Sequence, residues 1–169
     1  MVKKVLFLSS ANSARSQMAE AFLRALAADA FEAQSAGSVP RDLHPLALAV
    51  MAERGIDITE QRPQGLHEYI GAVQFDHVIT VCDRDEKACP VFPGKGTREY
   101  WPFDDPARAE GSDDERLAAF RAVRDQIDAR LRRWLLERRY KPVRELSGAG
   151  TAADSQHGPA AAPGGGWAR

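Results

Sequence analysis

The chain is poor in cysteine: only Cys82 and Cys89 occur among its 169 residues. One pair cannot form the disulfide framework that holds small secreted domains together. It also lacks any apolar run near the roughly 20 residues that a membrane-spanning helix needs. Val5-Leu6-Phe7-Leu8 follows Lys3 and Lys4 as a signal peptide's apolar segment would, but Ser9, Ser10 and Asn12 end it at once. A secretory segment needs about 7–15 apolar residues there. Charge of one sign is lacking too: 23 basic residues face 24 acidic ones, for a net charge of −1. Bulk electrostatics therefore exclude attraction to nucleic acid or to an anionic membrane, and any anion site must be local. The four histidines, His44, His67, His77 and His157, form no metal-binding motif. These absences lead to a cytoplasmic protein, where thiols stay reduced and a cysteine pair is catalytic or metal-binding before it is structural.

What is present is an alternation of strands and helices. Val5–Leu8 is continuously apolar, as a strand buried on both faces would be. From Ser16 to about Ala28, Met18, Phe22 and Leu26 recur every four residues, which predicts an amphipathic helix. Phe31–Ala36 reads as a second strand ended by Gly37. Pro45 opens a second helix and Gly55 follows its end. His77–Val81 reads as a third buried strand leading into Cys82. A proline- and glycine-rich loop is expected from Asp83 to Thr97, then a last strand at Glu99-Tyr100-Trp101. The longest helix is expected from about Asp113 to Glu137, with acids in its first turn and arginines near its end. The pattern implies one α/β domain over residues 1–140, a three-layer fold with a central four-stranded parallel sheet flanked by helices. From Ser147 the chain is mostly Gly, Ala, Pro and Ser, too poor in large apolar groups to offset its ordering entropy, so 141–169 is expected to be a disordered tail.

The most informative segment is Ser9-Ser10-Ala11-Asn12-Ser13-Ala14-Arg15-Ser16, between a buried strand and a helix. An open α/β sheet places ligands at the carboxyl ends of its strands. Small residues entering a helix turn backbone N–H groups onto an anion. Arg15 can add a bidentate fork to a tetrahedral oxyanion, Ser16 can donate to the group at position 9, and Asn12 tolerates unusual backbone angles. Ser10, Asn12 and Ser13 would equally serve as turn and capping residues. The spacing favours the anion site: with cysteine at position 9 the segment would read Cys-x5-Arg-Ser, the loop of tyrosine phosphatases.

The run VLFLSSANSARSQMAE, Val5 to Glu20, closely resembles the first strand, loop and helix of thioredoxin-coupled arsenate reductases, which share the low-molecular-weight tyrosine phosphatase fold. Cys82, followed by Cys89 just before Pro90, matches the resolving redox pair of that family. Trp101-Pro102-Phe103-Asp104-Asp105-Pro106 resembles its general-acid loop, with Asp105 as the acid. Ser35-Ala36-Gly37 and Gly55-Ile56-Asp57-Ile58 also fit, and the resemblance spans about residues 3 to 138.

The resemblance implies a cysteine relay. A thiolate at position 9, its pKa lowered by the loop, attacks arsenate while Asp105 protonates the leaving oxygen. Cys82 attacks the adduct, arsenite leaves, Cys89 attacks Cys82, and thioredoxin reduces the Cys82–Cys89 disulfide. The implied catalytic set is position 9, Arg15, Cys82, Cys89 and Asp105. The implied oxyanion cradle is Ser10, Ala11, Asn12, Ser13, Ala14, Arg15 and Ser16. The partners are arsenate or phosphate and thioredoxin, with the chain a monomer. No resident cofactor is expected beyond thioredoxin's reducing equivalents.

Ser9 departs from this pattern at its centre. A serine oxygen cannot supply the electron pair that reduces arsenic, nor form a disulfide with Cys82. The chain as written is therefore expected to bind arsenate or phosphate without turnover. Residue roles leave two origins open, a cysteine exchanged for serine and a natural protein that kept only the cradle. The intact Arg15, Asp105, Cys82 and Cys89 favour the first. Some family members hold a potassium ion beside the loop, for which Asn12, Glu20 and Ser35 offer oxygens, but Gly65 stands where those members carry an acid. Two other functions fit part of the pattern. A small tyrosine phosphatase needs no second cysteine pair, and an oxyanion-binding module needs no chemistry at all.

Overall fold

The computed structural model describes residues 1–142 and 144–148. Four parallel strands form one sheet in the order β2-β1-β3-β4, where β1 is Lys3–Ser9, β2 Phe31–Gly37, β3 His77–Thr80 and β4 Thr97–Tyr100. Three helices accompany them: α1 Arg15–Ala27, α2 Pro45–Ala52 and α3 Asp113–Glu137. This is the expected three-layer α/β fold.

The unbroken apolar run of β1 has a direct cause. Val5 and Phe7 face a large core shared with α1, α2 and α3, where Phe22, Met51, Phe120 and Trp134 are fully buried. Leu6 and Leu8 face a second, smaller core with Tyr69, Phe75, Val78 and Phe92. A strand buried on both faces has no side left for polar residues. Helix α3 begins at a reciprocal cap, in which Ser112 Oγ accepts from Glu115 N–H and the Glu115 carboxylate accepts from Ser112 N–H.

Most element boundaries lie within a residue or two of the sequence reading, and two differences bear on the site and the core. Strand β4 spans Thr97–Tyr100 rather than Glu99–Trp101, because its register pairs His77 with Thr97 and Thr80 with Tyr100. Trp101 extends the ladder by one bond, its N–H donating to Thr80 O at 2.8 Å. The chain also stays on the domain beyond residue 140. Leu146 is 5% exposed within the main core, and Ser147 O accepts from Arg54 Nε at 2.6 Å. The rest of the expected tail, from residue 149, lies outside the described residues.

Candidate active site

The site lies at the carboxyl end of the sheet, where β1 and β3 run side by side. The loop after β1 turns from Ser9 into α1. Its carbonyls are engaged by the chain after β2: Ser10, Ala11 and Ser13 accept from the backbone N–H groups of Val39, Arg41 and His44 at 3.0, 2.9 and 2.9 Å. Segment 39–44 thus fixes three of the loop's carbonyls. Asn12 has φ 48°, in the left-handed region that Asn tolerates better than most residues. No side chain caps α1 at Ala14, so the first-turn N–H groups add their partial positive charge to the loop.

A buried hydrogen-bond network fixes position 9. Asn12 Nδ2 donates to Ser16 Oγ at 2.8 Å, Ser16 Oγ and Ser9 Oγ lie 2.6 Å apart, and Asn12 N–H donates to Ser9 Oγ at 3.2 Å. Either hydroxyl can donate in the Ser9–Ser16 pair, but opposite a thiolate at position 9 Ser16 would have to be the donor. A thiolate at position 9 would then receive two donors, Asn12 N–H and Ser16 Oγ, which would hold it in its charged form. Asn12 Oδ1 accepts from Gln17 Nε2 at 2.9 Å and Gln64 N–H at 2.8 Å, tying the loop to α1 and to the chain beside β2. Gly37 closes the back of the loop, where a Cβ would sit 2.7 Å from Ser10 O.

Cys82 and Cys89 form a disulfide at the end of β3. Carried two residues beyond Leu8 and Thr80, the β1–β3 register sets Cys82 level with Ser10. Cys82 is 0% exposed, while Cys89 is partly exposed. Asp105 caps a short 3-10 turn, accepting from Ala107 N–H at 3.0 Å, and its other oxygen lies 3.8 Å from Arg15 Nη2. The structure thus brings the loop, the cysteine pair and Asp105 to one end of the sheet.

Arg15 is buried and its fork is engaged by a residue that the sequence reading did not single out. Glu86, between the two cysteines, takes Arg15 Nη1 at 2.8 Å and Nη2 at 2.9 Å. Its carboxylate also accepts from Ser10 Oγ and from Asp83 N–H. Arg15 Nη1 further donates to Phe103 O at 3.1 Å. Burial pushes the Glu86 carboxyl up, but the hydrogen bonds from Arg15 and Ser10 and the Arg15 charge outweigh it and hold it at about 2. A glutamate among Asp83, Arg84, Asp85 and Lys87 reads as one more solvated loop charge. Its place midway between the cysteines was the sole sequence signal. Gln17 was missed for a different reason: it reads as a polar helix residue, yet it is fully buried against Asn12.

The oxygens considered for potassium do not fit that ion. Glu20 accepts from Ser35 Oγ and Arg24 Nη2 at 2.5 Å each, Asn12 Oδ1 is taken by two N–H donors, and Gly65 brings no side-chain oxygen. Burial raises the Glu20 pKa, partly offset by the bonds from Ser35 and Arg24. Among the described residues no cluster of His, Cys, Asp and Glu suits a metal ion, and no helix is long and apolar enough to cross a membrane.

Residues 4–146 match the family model described as low molecular weight phosphotyrosine protein phosphatase. An arsenate reductase of Shouchella clausii is 42% identical over 135 residues, covering 79% of this chain and 96% of that protein. Among solved structures, an arsenate reductase in the phosphate binding state superposes with a TM-score of 0.65 at 32% identity, over 80% of this chain and 98% of the other. A thioredoxin-dependent arsenate reductase of Corynebacterium glutamicum gives 0.58 at 33% identity, over 80% of this chain and 61% of that one.

Proposed function

The chain belongs to the low-molecular-weight phosphotyrosine protein phosphatase family, alongside its arsenate reductases, and on that premise we propose that its site is an arsenate reductase centre which, with Ser9, binds arsenate or phosphate without turning over. The observation that carries the reading is the meeting of two devices at one sheet end. One is an anion loop with a buried arginine, and the other is a cysteine pair able to bridge beside it. A phosphatase has use for the first device alone, so the pair favours the reductase.

The geometry supports definite roles. Loop amides, the α1 N-terminus and Arg15 bind the oxyanion. Asp105, beside Arg15, is the proton donor to the departing oxygen. With sulfur at position 9, the two donors converging there favour thiolate, which attacks the As(V) centre as water departs. Cys82 then attacks that sulfur, forming a disulfide between positions 9 and 82. The bonding pair stays on arsenic, which leaves as arsenite. Cys89 attacks Cys82 and frees the sulfur at position 9, giving the Cys82–Cys89 bridge seen here. Because Cys82 is buried and Cys89 partly exposed, an external thiolate such as thioredoxin's reaches Cys89 first. Serine at position 9 stops this sequence at its first redox step, since oxygen gives arsenic no electron pair. It leaves the donors of the loop in place.

The test is arsenate turnover in a coupled thioredoxin and thioredoxin reductase assay, run on this chain and on Ser9→Cys. Binding of arsenate and phosphate is measured calorimetrically on the same samples. The reading expects binding by both chains and arsenite from Ser9→Cys alone. A Ser9→Cys protein that binds arsenate but forms no arsenite would overturn the reductase assignment.

A further inference from the structure

The residue between the cysteines carries a consequence of its own. Of residues 84–88 only Glu86 is turned inward; Arg84, Asp85, Lys87 and Ala88 are exposed. Its side chain is 4% exposed. The donors it engages, the two Nη groups of Arg15 and Ser10 Oγ, belong to the loop that would grip an oxyanion. A carboxylate presents two oxygens to the guanidinium fork as a phosphate edge does. Both cannot occupy the fork, and two anions side by side there would repel.

The bridge is what brings the carboxylate in. Seven residue steps could extend over about 23–25 Å, yet the bridge holds Cys82 and Cys89 with Cα atoms 5.9 Å apart. The segment must therefore fold back on itself. It does so through turn bonds from Glu86 N–H to Asp83 O at 3.3 Å and from Cys89 N–H to Glu86 O at 3.4 Å. Ser38 Oγ pins the outer side by donating to Ala88 O at 2.6 Å. The fold-back places Glu86 at its inner apex, against Arg15.

We propose that Glu86 is a tethered carboxylate that occupies the oxyanion site while Cys82 and Cys89 are bridged, so that the redox state of the pair controls oxyanion access. This rests on the reading of the loop as an oxyanion site. Reduction by an external dithiol adds two electrons and two protons, breaks the Cys82–Cys89 bond and leaves two thiols. The segment loses its closure and the local concentration of the carboxylate at Arg15 falls. Oxyanions then bind the reduced form more tightly. By linkage, a bound oxyanion makes the bridge easier to reduce by the same factor. The spent form would release or exclude anion, and the recharged form would admit it.

Phosphate is the probe, and the chain with Ser9 is suited to it because no turnover intervenes. Phosphate binding is measured by calorimetry on the bridged and the dithiothreitol-reduced protein, as the chain itself, as Glu86→Gln and as Glu86→Ala. The reduced chain should bind roughly tenfold more tightly or better, a typical coupling between linked sites. Glu86→Ala should bring the bridged form close to the reduced one, with Glu86→Gln between. Independently, saturating phosphate should shift the dithiol–disulfide equilibrium toward dithiol, by about 30 mV for each tenfold difference in affinity. Equal binding by bridged and reduced chain overturns the proposal, as does a bridged Glu86→Ala protein that stays weak. Absence of phosphate binding in every form, Glu86→Ala included, overturns the oxyanion reading of the loop and this inference with it.

Discussion

The oxyanion loop, residues 9–16, is held on two sides by hydrogen bonds and on a third by packing, whereas the cysteine segment, residues 82–89, is held chiefly by its bridge, its turn bonds and Glu86. The loop's carbonyls bond segment 39–44, its Asn12 bonds Gln17 and Gln64, and Gly37 packs against its back. The cysteine segment has Cys82 at the core and an exposed, charged middle with one inward residue. Recognition needs donors fixed before the ligand arrives, because their ordering cost is then met in folding. A sulfur relay needs a segment that can change partners. The two neighbouring pieces of one site are built to these opposite requirements.

The largest effect that would sharpen this contrast is Ser9→Cys. It leaves the loop in place and supplies the missing sulfur, and losing a nucleophile costs on the order of 10⁶ in rate in a well-studied hydrolase. Thioredoxin-coupled arsenite formation should rise from background to ready detection, with oxyanion affinity little changed. Arg15→Lys should come next. Loss of the fork removes charged hydrogen bonds of about 1.5–3 kcal/mol, so phosphate binding by the reduced protein should weaken about ten- to a hundredfold by calorimetry. Equal affinity would show that the amides, not the fork, hold the anion.

Asn12→Ala tests whether the loop is as rigid as its bonding suggests. It strips Ser16 of a donor, leaves Gln64 N–H unpaired and puts alanine at φ 48°. A loss of about 1–3 kcal/mol in chemical denaturation is expected. A variant of unchanged stability would mean the loop does not depend on this brace.

The smallest effect concerns pH. Glu86 is depressed from 4.5 to about 2, so its contact favours the folded bridged protein fully above pH 4.5. That contribution drains away as the pH falls from 4.5 towards 2, because protonation then costs the native state its ion pair. Melting temperatures of the bridged chain should fall over that window more steeply than those of Glu86→Gln. Parallel curves would break the assignment of the ion pair.

Much of the fold was readable because burial writes itself into residue order. The four-residue apolar run of β1, the four-residue recurrence in α1 and the acid-to-base gradient of α3 each follow from local geometry. Strand β4 was expected to start two residues late and end one late, because its exposed Thr97, Arg98 and Tyr100 carry no burial pattern. Its place is set by pairing with His77–Thr80. Leu146 was assigned to a tail because one apolar residue between charged and small ones gives no period, although the core receives it.

The sequence by itself determined that a small-residue loop with Arg15 follows a buried strand, that two cysteines stand seven apart, and that position 9 lacks sulfur. These are matters of residue type and spacing. Only the tertiary structure decided that Glu86 reaches Arg15 and that Cys82 is buried while Cys89 is partly open. The Glu86–Arg15 contact joins groups 71 residues apart in the chain, which meet at the carboxyl end of the sheet. Parallel pairing of β1 with β3 creates that meeting, and no local pattern encodes it.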